Sequence, residues 1–154
     1  MLKMSKLTDY GTLVLSCLAE TPEEMQSASD VARQTRLHLP TASKLLKLMS
    51  RAGLVVSTRG AKGGYRLSRS PDEISAADVI DALEGPVAIT ECSDADGHCV
   101  LEDFCGVSSS WKKINISIRR ALDDVRLSQL VAKEFRAPRL NLLGIPITHE
   151  GAKR

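Results

Sequence analysis

No stretch of this 154-residue chain approaches the roughly 18 to 20 apolar residues of a membrane span, so no membrane association is expected. Residues Met1 to Lys6 hold no apolar signal region. Cysteine is scarce, four in all, too few for a disulfide framework. There is no internal repeat and no low-complexity segment. Paired carboxylates, a nucleophile–base arrangement and a phosphate-binding glycine loop are all missing. The glycines near 60–64 do not precede a helix, so they are not a nucleotide fingerprint. These absences argue against an enzyme and against a small-molecule substrate. They leave a cytoplasmic protein whose thiols stay reduced.

Hydrophobic residues make up 43% of the chain and charged residues 26%, the balance of a soluble globular protein with a real core. The net charge of +2 conceals an asymmetry. Residues 1–69 carry eleven Lys/Arg against five Asp/Glu, and residues 70–154 carry ten against fourteen. A basic first half joined to an acidic second half suggests that only the first half meets a polyanion.

Three of the four cysteines, Cys92, Cys99 and Cys105, fall in one polar, acidic, glycine-bearing stretch from Glu91 to Gly106. Such a stretch is a loop. Three thiols on one loop can converge on a point, as thiolate ligands of a metal must. The fourth, Cys17, lies on the apolar face of a helix and reads as a buried structural thiol.

In chain order, Leu7, Tyr10, Val14 and Cys17 or Leu18 recur at helical spacing, with Ser5 or Thr8 as N-cap. Ser27 and Asp30 read as a capping box opening a short helix that ends near Thr35. After a turn at 36–39, Pro40 suits the first position of a second helix, closed at Gly53. Ala42, Leu45, Leu46 and Met49 form its inner stripe and leave Thr41, Ser43, Lys44, Lys47 and Arg51 outward. Helix, turn and second helix is the layout of a helix-turn-helix, whose second helix reads DNA.

The next residues predict a hairpin: strands at 54–57 and 65–67 flank a glycine-rich turn carrying Arg59 and Lys62. A hairpin directly after a recognition helix is the wing of a winged helix. Its cations suit a phosphate backbone or a narrow minor groove. Ser75 with Asp78 predicts a cap for a helix over 76–83, packed through Ile74, Val79, Ile80 and Leu83. Beyond the cysteine loop, Trp111, Ile114, Ile118, Ala121 or Leu122 and Val125 predict a long helix over about 109–125. Its narrow apolar stripe suits helix–helix pairing, and equally a monomer's own core. Another short helix is expected from Ser128, and a poorly ordered tail from Ala137. The fold class is therefore mainly α with a small β-hairpin wing.

The stretches Leu7-Thr8-Asp9-Tyr10-Gly11, Arg51-Ala52-Gly53-Leu54-Val55 and Arg59-Gly60-Ala61-Lys62-Gly63-Gly64-Tyr65-Arg66-Leu67, followed by the three-cysteine loop, carry a family resemblance. The chain resembles the IscR/NsrR-type iron–sulfur-sensing winged-helix transcriptional regulators over residues 1 to about 133. Within them it looks most like the branch that regulates the SUF iron–sulfur assembly operon, through residues 39–47 and 82–86.

The resemblance implies a winged helix-turn-helix domain with its packing helix at 1–85, a cluster-binding loop at 86–108, a dimerisation-helix region at 109–133 and a tail at 134–154. It implies a homodimer joined through the helix near 109–125, binding double-stranded operator DNA with two half-sites. Pro40, Thr41, Ser43, Lys44, Lys47, Arg59 and Lys62 are the expected DNA-facing residues. Thr41, Ser43 and Lys44 would probe the major groove, Lys47 a phosphate and Arg59 the minor groove.

Cys92, Cys99 and Cys105 fall on the family's three cluster cysteines and would hold a 2Fe–2S or 4Fe–4S cluster. Some members place a His three residues after the last cysteine, where this chain has Ser108. Others use an acid from the partner's first helix, and Asp9 sits at the matching place. Asp9 ranks first as fourth ligand, ahead of Ser108, solvent or a small molecule, and then His98. The alternatives to a cluster are structural zinc on the three cysteines and His98, or a metal-free thiol redox switch. Either would still be a DNA-binding regulator.

Overall fold

A computed structural model describes residues 4–60, 62–93, 99–100 and 105–132. Helix α1 spans Lys6–Glu20, α2 Ala28–Thr35 and α3 Leu39–Arg51. An antiparallel hairpin follows, β1 at Val55–Thr58 and β2 at Gly64–Leu67, with Val55 opposite Leu67 and Thr58 opposite Gly64. A 3-10 turn at Pro71–Glu73 leads into α4, Ala76–Glu84. A second 3-10 turn at Glu91–Ser93 precedes α5, Ser108–Asp123, and α6, Leu127–Val131. The mainly helical, hairpin-bearing architecture read from the sequence is the observed one. The expected C-terminal tail lies outside the described residues.

The helix starts follow from local chemistry. Of the two N-cap candidates for α1, Ser5 takes the role, its hydroxyl accepting from the Leu7 amide at 3.1 Å. Thr8 is instead buried one turn in. At α2 only half of the expected capping box forms: Ser27 accepts from the Asp30 amide at 3.1 Å. The Asp30 carboxylate is taken by the Ser27 hydroxyl and Arg33, both at 2.6 Å. At α4 the box is complete, with Ser75 and Asp78 each accepting from the other's amide, at 3.1 and 2.9 Å. Burial pushes the Asp78 carboxyl up, but the Ser75 donors and Arg69 outweigh it and hold it below its ordinary value.

Gly53, at φ 78°, ends α3 in the left-handed region that favours glycine. The Leu54 amide then returns to the Met49 carbonyl at 2.9 Å, which turns the chain into β1.

One core joins these elements. Val14, Leu15 and Leu18 of α1, Val31 of α2, Leu45, Leu46 and Met49 of α3, Val55 and Leu67 of the hairpin and Val79 of α4 are all essentially sealed from solvent. Each large side chain among them contributes about 1.5–3 kcal/mol of burial. Leu127 of α6 is fully buried in the same core. Its amide donates to the Ile74 carbonyl, and the Ala76 amide to that of Val125, both at 2.8 Å. The chain therefore leaves the winged domain along α5 and returns to it at α6.

Candidate nucleic-acid interface and cysteine segment

Helix α3 separates its residues cleanly. Ala42, Leu45, Leu46 and Met49 are fully buried. Pro40, Lys44, Lys47 and Arg51, at steps of four, three and four, are exposed, with Thr41 and Ser43 half-buried beside them. The outward face therefore carries three cations and two hydroxyls, a set that can meet both phosphates and base edges. Unlike α1, α2 and α4, the start of α3 has neither a side-chain cap nor an acid in its first turn. Its positive dipole end is left unneutralised at the end that a recognition helix presents to DNA. The turn before it holds Arg36 in the left-handed region at φ 57°, an uncommon place for a non-glycine residue.

The wing is anchored at its base. Gln26, just ahead of α2, exchanges both backbone hydrogen bonds with Tyr65 of β2, at 2.9 and 2.8 Å. A Cβ on Gly64 would stand 2.6 Å from the Gln26 carbonyl oxygen, so glycine here permits close backbone contact within the protein. Gln26 also donates to Thr21 at 2.9 Å and lies 3.6 Å from the Cys17 sulfur, which touches Gln34 at 3.3 Å. Burial, then the nearby Glu20, pushes the Cys17 thiol above its ordinary value, keeping it protonated. Cys17 is thus a structural thiol, as its place on the apolar face suggested. Arg59 and Lys62 are exposed beyond the strands.

All three loop cysteines are free and partly buried. Cys92 lies in the Glu91–Ser93 turn, its sulfur 3.2 Å from the Thr90 hydroxyl. Cys105 lies three residues before α5, and Ser108 is the first residue of that helix. His98 lies outside the described residues. Among the described residues, no group of three or more His, Cys, Asp or Glu side chains stands close enough together to hold a metal ion. The chemistry of the donor set, three unpaired thiols on one segment, nonetheless fits an iron–sulfur cluster. Asp9 is exposed in the first turn of α1.

Side-chain hydrogen bonds also tie α4 to α1 and α5. Glu84, the last residue of α4, accepts from the Ser5 amide and hydroxyl at 3.1 and 2.9 Å, and from the Thr8 hydroxyl. These donors, Thr8 foremost and then Ser5, hold the Glu84 carboxyl below its ordinary value against the opposing effect of burial. Arg119 of α5 grips Asp81 of α4.

Helix α5 buries only Asn115. Trp111, Ile114 and Ile116 are 39%, 44% and 50% exposed, and on α1 Tyr10 and Leu13 are 38% and 43% exposed. A monomer's own core does not use these residues. Sequence reasoning missed Asn115, whose signal was a polar residue set among the apolar positions of α5. It also missed Gln26 and Glu84, whose partners are remote in sequence.

A helix-turn-helix with a cationic outer face, followed directly by an anchored hairpin, defines a winged-helix DNA-binding regulator. The comparison with known proteins agrees. The chain belongs to the Rrf2 family, described as iron-dependent transcriptional regulators, whose model matches residues 4–133. It is 30% identical over 132 residues to the HTH-type transcriptional regulator NsrR of Bacillus subtilis (strain 168), covering 84% of this chain and 90% of that one. The structure resembles T. potens IscR with a TM-score of 0.60 and 33% identity, over 84% of this chain and 86% of that one. It also resembles CymR, the global cysteine regulator of B. subtilis, with a TM-score of 0.65 and 31% identity, over 87% of this chain and 99% of that one. These family and structural neighbours are regulators of transcription, and the chain is not an enzyme.

Proposed function

We propose that this regulator is a cluster-dependent repressor of iron–sulfur assembly (SUF) genes, acting in the cytoplasm as a homodimer on double-stranded operator DNA. The observation that carries the reading is the set of three free, partly buried thiols between the winged domain and α5. Cys92, Cys99 and Cys105 would hold a 2Fe–2S or 4Fe–4S cluster, with Asp9 of a second copy as fourth ligand. When bound, such a cluster supplies a centre that is more labile with an oxygen ligand than with four thiolates, and so is sensitive to iron supply, oxidants and nitric oxide. The SUF assignment draws on the likeness of residues 39–47 and 82–86 to that branch.

The chain's own residues supply the readout. Thr41, Ser43 and Lys44, at the open end of α3, face base edges, while Lys47 and Lys62 meet phosphates and Arg59 enters the minor groove. The exposed apolar residues of α5 and α1 pair two copies, and that pairing sets the spacing of the two recognition helices. The segment holding the cysteines lies between these two functions, so its state can bias the spacing. Anaerobic reconstitution followed by operator binding, with and without the cluster, tests the reading. A difference in affinity or footprint is expected, and equal affinity and footprint overturn it.

A second reading keeps the DNA and replaces the cluster with thiol chemistry or structural zinc. It draws on the likeness to a cysteine regulator. Iron, sulfide and zinc analysis of protein purified without oxygen separates the readings.

A further inference from the structure

Helix α5 buries one residue among those described, and that residue is polar. Asn115 is 9% exposed, whereas Ile114 and Ile116 on either side are 44% and 50% exposed. Were packing the purpose, an apolar side chain would serve better, because a buried amide costs stability unless it is fully hydrogen-bonded. Asn115 is so bonded, and all its partners lie on one short segment. Its Oδ1 accepts from the Ile89 amide at 3.3 Å. Its Nδ2 donates to the Val87 carbonyl at 3.0 Å and to the Ser93 carbonyl at 3.5 Å.

These three contacts bracket Cys92. Among the described residues the segment has one 3-10 turn and no strand pairing, and this amide ties three of its backbone groups to α5. Within the segment, Thr90 completes the local order, its hydroxyl 3.2 Å from the Cys92 sulfur and 2.7 Å from the Ser93 hydroxyl. The backbone groups on either side of Cys92 are thus bonded to a side chain of α5 that stands one residue away from the exposed Ile114 and Ile116.

We propose that Asn115 is a positioning residue that fixes Cys92 against α5 and passes the state of that thiol to the helix's exposed face. The fixing role stands on the geometry alone; the passing role rests on the reading of Cys92 as a cluster ligand.

The test uses the full chain, kept anaerobic, with Asn115→Ala and Asn115→Asp variants. The first readout is the alkylation rate of each cysteine by N-ethylmaleimide in cluster-free protein, resolved by mass spectrometry. In Asn115→Ala, Cys92 should react about tenfold faster as the segment loses its hydrogen bonds, with Cys17 unchanged as a control for global folding. Asn115→Asp keeps the acceptor for Ile89 and loses the donors. It should also free Cys92 while the Ile89 amide stays protected from hydrogen exchange. A Cys92 rate within about twofold of wild type in Asn115→Asp, with Cys17 unreactive, overturns the fixing role.

The second readout is the ratio of operator affinities of reconstituted and cluster-free protein. It should fall toward one in both variants while remaining large in wild type. A wild-type ratio in variants that have freed Cys92 overturns the passing role. A wild type that takes up no cluster sinks the cluster reading and the passing role with it, and the alkylation rates still decide the fixing role.

Discussion

Arg119 holds Asp81 with both terminal guanidinium nitrogens, at 3.1 and 2.6 Å, and so clamps α5 to α4. The paired geometry is the strong form of an ion pair. The side chains are 40% and 28% exposed, so solvent screens much of the attraction. A double-mutant cycle with Arg119→Ala and Asp81→Asn, followed by urea unfolding, should return a coupling of about 0.5–1 kcal/mol. A coupling near zero would show that this ion pair adds no net stability.

Glu84 closes α4 onto the start of α1, the turn that carries Asp9. Thr8 and then Ser5 hold its carboxyl below the ordinary glutamate range. A carboxyl lowered in the folded state contributes its stability in full above its unfolded value and loses it as the pH falls through the folded one. Wild type should therefore exceed Glu84→Gln most at neutral pH, and the two should converge as the pH drops below the ordinary glutamate range. Urea midpoints measured across that range check the sign. A gap that widens in acid would contradict it.

Much of this fold was legible because its signals are local. Ser75 and Asp78 announced α4 within four residues, and Gly53 announced the end of α3. The inner stripe Ala42, Leu45, Leu46 and Met49 is buried as its spacing implied. What was not legible lies in partners far apart in the chain. The Gln26–Tyr65 pairing, which seats the wing, joins residues separated by most of the helix-turn-helix. Gly64 read only as part of a glycine-rich turn, and its close neighbour is the Gln26 backbone. Asn115 could be seen only as a break in an apolar pattern, because its partners are backbone groups at 87–93 that no side-chain pattern reports. Leu127 joins the winged domain's core although the long α5 separates it from that domain in sequence.

The apolar residues left open on α5 predict an assembly. Ile114 is 44% exposed, so Ile114→Glu should leave the monomer's stability within about 0.5 kcal/mol of wild type. Sedimentation velocity should show the wild type as a dimer and the variant shifted to monomer. A variant that sediments as wild type would remove α5 from the interface.

On the DNA side, Lys47 and Arg59 should separate by kind. Lys47→Ala should weaken operator and random DNA alike and reduce the salt dependence of binding by about one ion. Arg59→Ala should cost about 1–3 kcal/mol on the operator and less on random DNA. Fluorescence anisotropy at several salt concentrations distinguishes them. Equal losses on both DNAs for both variants would leave Arg59 a phosphate contact.

In the function proposed here, the three thiols between the winged domain and α5 hold an iron–sulfur cluster whose presence alters DNA binding. The direct measurement is visible absorption with iron and sulfide analysis of protein purified without oxygen, followed by operator titration before and after cluster removal. The expected result is a coloured protein that holds iron and sulfide, loses both in a Cys92→Ala variant, and changes operator affinity when the cluster is removed. A colourless protein holding neither iron nor sulfide, or a coloured one with the same operator affinity in both states, would contradict it.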